Sequence, residues 1–327
     1  MRNQKKNLND DIDLIIEKIN ASEEIYLISH INPDGDSLGS LLALGEALKQ
    51  LDSSVTMVAS DDIPDRYSFL SNISEIEKLD EIKPVELLIT LDCGDQDRLG
   101  EFKELANKAK TVINIDHHIS NNYFGDLNLV NSDASSTGEM IYDLIEKMNL
   151  KFNHKINNSI YMAISTDTGS FKYSNTSYHT HEIASNLLKK GIDNEYINNK
   201  LYQNNPLSKA KLFIETLKNL ELYNNNSIGI IYITQAMIKR CGAKIEHMDG
   251  IINFVRDIDT VEVACILKEI NNNKVKIGLR SKEYVDVSKI AKNLNGGGHK
   301  KASGATFLGT IDEARDKILS EIQNYIR

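Results

Sequence analysis

Four apolar runs of strand length, residues 25–30, 55–59, 87–92 and 111–116, alternate with stretches long enough to be helices. A chain patterned this way builds a parallel sheet and covers both faces with helices, because parallel strands are joined by crossovers and are buried on both sides. The predicted fold class is therefore α/β. A helix from Asp36 to Gln50 puts Leu38, Leu41, Leu42, Gly45 and Leu48 on one face. Further helices are predicted over about 137–149 and ending near Thr166.

The chain has 327 residues, more than one hydrophobic core usually serves. A second unit follows a change of texture within 190–225. Residues 206–222 read as one helix with Pro206 at its favoured first position. Asn224, Asn225 and Asn226 break it. Strands are predicted over 228–233, 260–269 and 274–280, the last two joined by a turn at Asn271 to Asn273. A helix over about 286–294 leads into Gly296-Gly297-Gly298, and a final helix covers about 312–326. The predicted division is 1–195, a helical linker over 196–225, and a smaller α/β domain over 226–327.

Lys plus Arg number 38 against 47 Asp plus Glu, a net charge of −9. That balance argues against gripping long duplex nucleic acid, which needs many phosphates neutralised, but leaves room for a short or mononucleotide ligand. Cys93, Cys241 and Cys265 form no CxxC pair, so neither a disulfide framework nor a zinc–thiolate site is predicted. The first eleven residues are polar, and no apolar run approaches the ~20 residues of a membrane span. The expectation is a cytoplasmic protein with no membrane partner; a homodimer is left open.

The acidic and imidazole residues fall where such a sheet binds ligands, just beyond the carboxyl ends of its strands. His30 ends the first run, with Asp34 and Asp36 in the loop after it. Asp92 ends the third run, Asp116-His117-His118 the fourth, and Asp167 lies in Ser165-Thr166-Asp167-Thr168-Gly169. Gathered carboxylates raise each other's pKa, so the cluster makes sense only with cations. Carboxylate with some imidazole suits Mn²⁺ or Mg²⁺, and two ions ~3.5–4 Å apart can clamp both oxygens of a phosphoryl transfer. Gly35 is expected to turn the chain so that Asp34 and Asp36 serve different ions. Each segment alone has an ordinary reading, Asp36 as a helix N-cap for instance. Four in order favour one shared site.

A second cluster is Gly296-Gly297-Gly298-His299-Lys300-Lys301-Ala302-Ser303-Gly304. Consecutive glycines can converge backbone N–H groups on an anion, and His299 with two lysines adds donors. Arg280 and Ser281 are expected to reach the same phosphate pocket. The competing reading is a glycine C-cap and turn. His154, His179 and His181 read as surface residues, His247 as a polar-loop residue without a partner, and Cys93 as a small residue in a tight strand end.

Taken in order, Ser29-His30-x-x-Pro33-Asp34-Gly35-Asp36-Ser37-x-Gly39-Ser40, Leu91-Asp92-x-Gly94-Asp95, Asp116-His117-His118 and Thr166-Asp167-Thr168-Gly169 resemble the four motifs of DHH phosphoesterases. Gly296-Gly297-Gly298-His299-x-x-Ala302-Ser303-Gly304 resembles the DHHA1 signature. The two-domain layout is most similar to the stand-alone nanoRNase/pAp phosphatase branch. The resemblance implies a DHH catalytic domain, a DHHA1 substrate-binding domain and two divalent ions, Mn²⁺ first and Mg²⁺ second. His30, Asp34 and Asp92 would hold one ion; Asp36, Asp92, His117 and Asp167 the other, with Asp92 bridging. His118 would contact phosphoryl oxygens, and Asp116 would orient the neighbouring imidazoles. Arg280, Gly297, Gly298 and His299 would hold the substrate's nucleotide or terminal phosphate. Ser135-Ser136-Thr137-Gly138-Glu139 also resembles a family stretch, without a role. The implied activity is metal-dependent cleavage of very short RNA and of 3′-phosphoadenosine 5′-phosphate (pAp). Cleavage of cyclic di-AMP or pApA is the close alternative, and a non-catalytic nucleotide sensor the distant one.

Overall fold

The computed structural model describes residues 8–79, 81–248 and 250–326; the polar lead-in of residues 1–7 lies outside them. The chain divides into two compact units between Asn204 and Asn205. The stretch 196–225 is shared between the units, its first residues ending the last helix of one and the rest starting the other.

The first unit runs α1 (Leu8–Ala21), β1 (Glu24–Ser29), α2 (Gly35–Leu48), β2 (Ser54–Val58), β3 (Ile76–Glu77), β4 (Leu87–Leu91), α3 (Lys103–Lys108), β5 (Thr111–Asp116), β6 (Leu127–Val130), α4 (Thr137–Lys147), α5 (His154–Asp167), α6 (Tyr178–Lys189) and α7 (Asn194–Tyr202). The sheet order is β3-β2-β1-β4-β5-β6, with every neighbouring pair parallel. From β1 the chain first builds outward on one side and then returns to build on the other. A crevice therefore opens between the carboxyl ends of β1 and β4. Helices cover both faces, as predicted. Ile25 and Leu27 pack with α2, α4 and α5, while Ile28 and Leu88 pack with Leu105 and Ala106 of α3.

Helices α2 and α5 press closely together, and glycine makes that approach possible. A Cβ on Gly39 would stand 2.5 Å from the Ser159 carbonyl oxygen. A Cβ on Gly35 would collide with the Thr166 side chain, and Gly35 has no left-handed φ. Its requirement is close approach to α5, not the tight turn expected from the sequence. Gly39→Ala is expected to destabilise the protein by about 1–3 kcal/mol, since backbone must shift to admit the methyl group; a denaturant melt measures it.

The second unit runs α8 (Leu207–Leu217), β7 (Glu221–Tyr223), β8 (Ile228–Ile233), α9 (Gln235–Cys241), α10 (Ile251–Arg256), β9 (Val263–Asn271), β10 (Lys274–Ser281), α11 (Val287–Asn293), β11 (Gly297–His299), β12 (Ala302–Leu308) and α12 (Ile311–Gln323). Its sheet, β11-β12-β10-β9-β8-β7, is mixed: β8 and β9 run parallel, the other neighbours antiparallel. The helix predicted over 206–222 stops at Leu217. Asn219 instead brackets the Tyr232 backbone with two 3.0 Å hydrogen bonds, and β7 pairs with β8. No helix among the described residues is long and apolar enough to cross a membrane.

Candidate metal centre

Register places the first two groups. Ser29 of β1 is paired with Leu91 of β4, so the next residues, His30 and Asp92, emerge side by side at the crevice. His30 Nε2 lies 3.4 Å from Asp92 Oδ2 and 3.8 Å from Asp34 Oδ2. Its Nδ1 lies 2.7 Å from the Ile31 carbonyl oxygen. A proton on Nδ1 donates to that carbonyl, so that a neutral His30 would offer its Nε2 lone pair to an ion among the carboxylates, the tautomer a metal ligand needs. Asp34, not Asp36, is the N-cap of α2: its Oδ1 accepts from the Ser37 amide at 3.0 Å, while Oδ2 faces His30.

Asp36 is buried in the first turn of α2. Its Oδ2 accepts from the Thr137 amide at 2.7 Å, and its Oδ1 from the Gly138 amide at 2.9 Å. Both donors belong to the first turn of α4, whose amides lack partners within the helix and attract negative charge. The Thr137 hydroxyl donates to Asp92 Oδ1 at 3.0 Å. This gives the Ser135–Glu139 stretch the role that sequence reasoning missed. The available signal was its capping pattern: Ser136 Oγ accepts from the Glu139 amide, marking a helix start.

His117 repeats the arrangement of His30. Its Nδ1 lies 3.3 Å from the Ala134 carbonyl oxygen, and its Nε2 lies 3.7, 3.6 and 3.7 Å from carboxylate oxygens of Asp36, Asp92 and Asp167. Asp167 is the last residue of α5, the helix end that disfavours an anion. Asp92 is buried with φ 56°, a conformation uncommon outside glycine and a frequent companion of functional sites.

Among the described residues, three sets of groups have their ligand atoms within 4.8 Å of one another: His30, Asp34 and Asp92; Asp36, His117 and Asp167; and Asp92, His117 and His118. Burial, then the charges of Asp92, Asp167 and Asp34, push Asp36 well above the usual carboxylate range. Burial lifts Asp167 to about 6, opposed by His117 and reinforced by Asp92 and Asp34. Burial also disfavours the Asp92 anion, but the His30 hydrogen bond and the His118, His30 and His117 charges together hold Asp92 below its usual value. The protein alone thus resists ionising all its clustered carboxylates, and donors of this kind fit a divalent metal ion.

His118 is held differently. Its Nδ1 lies 2.7 Å from Asp116 Oδ1, a hydrogen bond that, against burial, pushes its pKa up to about 9. Asp116 is fully buried, with Oδ2 accepting from Asn121 at 2.6 Å. Asp116 therefore orients His118, while the Ala134 carbonyl orients His117. Cys93 is buried beside the site, its thiol directed at the Asp95 carbonyl and its pKa raised by burial to about 12. His154 is on α5 beside Asn158, His179 pairs with Asp143, and His181 stacks on Phe171. His247, expected without a partner, is buried with Nδ1 accepting from the Lys244 amide at 3.1 Å.

In the second unit, β10, β12 and β11 align Arg280, Ala302 and His299 in one row. Directly opposed residues of antiparallel strands share a face, so Arg280 and His299 do. Gly278, Gly304 and Gly297 form the neighbouring glycine row on that face. The glycine run is not an anion-cradling loop: Gly297 and Gly298 lie in an extended edge strand, whose amides alternate in direction. A Cβ on Gly298 would stand 2.6 Å from the Ala302 carbonyl oxygen. Ser281 turns inward, buried, and donates to the Val285 carbonyl at 2.7 Å. The Lys301 ammonium is engaged by the Lys282 and Glu283 carbonyls.

Residues 24–166 match the DHH family, N-terminal domain, and residues 232–327 match the DHHA1 domain. The chain belongs to the DHH family of phosphoesterases, as its motifs implied. It is 31% identical to the bifunctional oligoribonuclease and PAP phosphatase NrnA of Thermus thermophilus, over 95% of this chain and 93% of that protein. It is 29% identical to the protein of the same name from Bacillus subtilis, over 94% of this chain and 96% of that one. The crystal structure of an exopolyphosphatase-related protein from Bacteroides fragilis aligns with a TM-score of 0.91 at 28% identity, covering 97% of this chain and 96% of that one.

Proposed function

We propose that this chain is a two-metal phosphoester hydrolase that degrades very short oligoribonucleotides to mononucleotides and converts pAp to AMP. The observation that carries this is the overlap of the ligand sets, which share Asp92 and His117 at the crevice between β1 and β4. The names of relatives aligned over nearly the whole chain support the substrate class. His30, Asp34 and Asp92 would hold one ion, and Asp36, Asp92, His117 and Asp167 the other. The carboxylate-rich sets favour Mn²⁺, with Mg²⁺ second. Such ions would supply Lewis acidity toward a phosphoryl oxygen and the attacking water.

The chain's own residues do the rest. Asp116 fixes Nδ1 of His118 and frees Nε2 to contact phosphoryl oxygens. Arg280 and His299, sharing a sheet face beside the glycine row, hold the substrate's phosphate and nucleotide; Gly297 leaves open space there for it. Ser281 is spent inside the unit and takes no part. The net charge of −9 suits short RNA and mononucleotides over long duplexes, and substrates of this class are consistent with a cytoplasmic setting.

The test is a product assay with Mn²⁺, comparing 5′-labelled dinucleotides, longer RNA, pAp, pApA and cyclic di-AMP, with Asp92→Asn as control. Dinucleotides and pAp are expected to be cut fastest by wild type and hardly at all by the variant. Preference for cyclic di-AMP would replace the substrate assignment. Equal turnover by the variant would remove the two-metal reading, and no turnover of any substrate would favour a sensor.

A further inference from the structure

One short stretch of chain, residues 134–138, touches three of the four groups assigned to the second ion. The Ala134 carbonyl meets His117, the Thr137 and Gly138 amides hold Asp36, and the Thr137 hydroxyl holds Asp92. Asp167 is joined to the same stretch through one side chain. Asn175 Nδ2 lies 2.9 Å from the Ser135 carbonyl oxygen, 3.1 Å from Asp167 Oδ2 and 3.2 Å from the Asp167 carbonyl oxygen.

Two features say that this amide is there for its donor end. Turning it over would set its oxygen against three oxygens, so its orientation is determined. Its Oδ1 is meanwhile buried without a hydrogen-bond partner among the described residues, an arrangement that costs stability. The approach is also strained. After α5, three successive residues, Gly169, Ser170 and Phe171, have φ of 57°, 61° and 63°, turning the chain back so that Asn175 returns to Asp167.

We propose that Asn175 is a positioning residue that clamps the Asp167 carboxylate to the 134–138 stretch, so that one scaffold presents Asp36, Asp92, His117 and Asp167 to a single ion. The inference rests on the two-metal reading above and deepens it. It is selective: His30 and Asp34 draw on the Ile31 carbonyl and the Ser37 cap, not on this scaffold.

Titration of Mn²⁺ into the metal-stripped full-length chain, followed by calorimetry, tests it. Asn175→Leu removes the donor and the orphaned oxygen together, at similar volume. One binding event is expected to weaken 10–100-fold, the other to change less than threefold, with the melting temperature of the stripped protein little altered. Turnover should fall at limiting Mn²⁺ and recover at high Mn²⁺, with KM for substrate unchanged. Asn175→Ala should repeat the pattern, and decides the matter if the leucine variant does not fold. Two ions bound by wild type and by a folded variant with equal affinity would overturn the role of Asn175 alone. A wild type that takes up no Mn²⁺ would overturn the metal reading and this inference with it.

Discussion

Asparagine in place of Asp92 is expected to lower kcat by roughly a thousandfold or more, about 4 kcal/mol of transition-state stabilisation. Asp92 is the carboxylate common to both proposed ion sites and faces His30, His117 and His118 at 3.4, 3.6 and 3.5 Å. Asparagine removes the charge but keeps an oxygen for the Thr137 hydroxyl. It also tolerates the φ of 56° better than alanine, so lost activity is not confounded by backbone strain. Metal analysis of the purified variant should find one ion or fewer where wild type holds two. A variant with wild-type kcat and two ions would mean that Asp92 is not the shared ligand.

Stripping divalent metal is expected to lower the melting temperature of the first unit by roughly 5–10 °C at pH 7.5. That figure takes a metal concentration a hundredfold above Kd, about 2.7 kcal/mol, in a unit of roughly 200 residues. The pH dependence has a definite sign. Asp36 and Asp167 have raised folded-state pKa values, Asp167 at about 6. Between the ordinary carboxylate value and the raised one, the folded state binds more protons than the unfolded state. Their contribution to stripped-protein stability is therefore full at the acid end; that of Asp167 is lost as pH rises through about 6, and that of Asp36 as pH rises through its own raised value. Asp92, whose value is lowered, works oppositely, its contribution being lost as the solution turns acid. Metal displaces protons from the raised carboxylates, so stripped and Mn²⁺-loaded melting curves should converge toward pH 4 and separate toward pH 8. Coincident curves at pH 7.5 would sink the assignment of a cation to this site.

The parallel sheet was legible because its central strands are apolar on both faces, and only buried parallel strands need that. The clustering of the candidate ligands was legible because each stands at a strand or helix end, where chain direction alone delivers it to one edge. What stayed hidden depends on tertiary pairing. The strand Leu127–Val130 is too short and too polar at Asn128 to announce itself. The hairpin of Gly297–His299 with Ala302–Leu308 reads as loop because glycine lacks strand propensity; its extended form is imposed by pairing with Arg280's strand. Ser281 and Lys301 look like phosphate donors by type, but in the fold, backbone carbonyls already claim them. The Thr137 and Gly138 amides contribute through backbone, so the only sequence signal for them was the helix-capping pattern around Ser136.

The proposed ligands span the chain from His30 to Asp167, just beyond β1, β4 and β5, at the start of α2 and at the end of α5. His30, Asp34 and Asp36 are close in sequence, but Asp92, His117 and Asp167 must each close a long loop to join them, an entropic cost offset only once the central strands have zipped together. The proposed site that includes Asp167 therefore cannot be complete on a nascent chain that has yet to emerge past α5, however well its early strands are formed. Completion of that proposed site would be a late event of synthesis, and a product truncated before Asp167 would carry all six strands of the first sheet without the full set of candidate ligands.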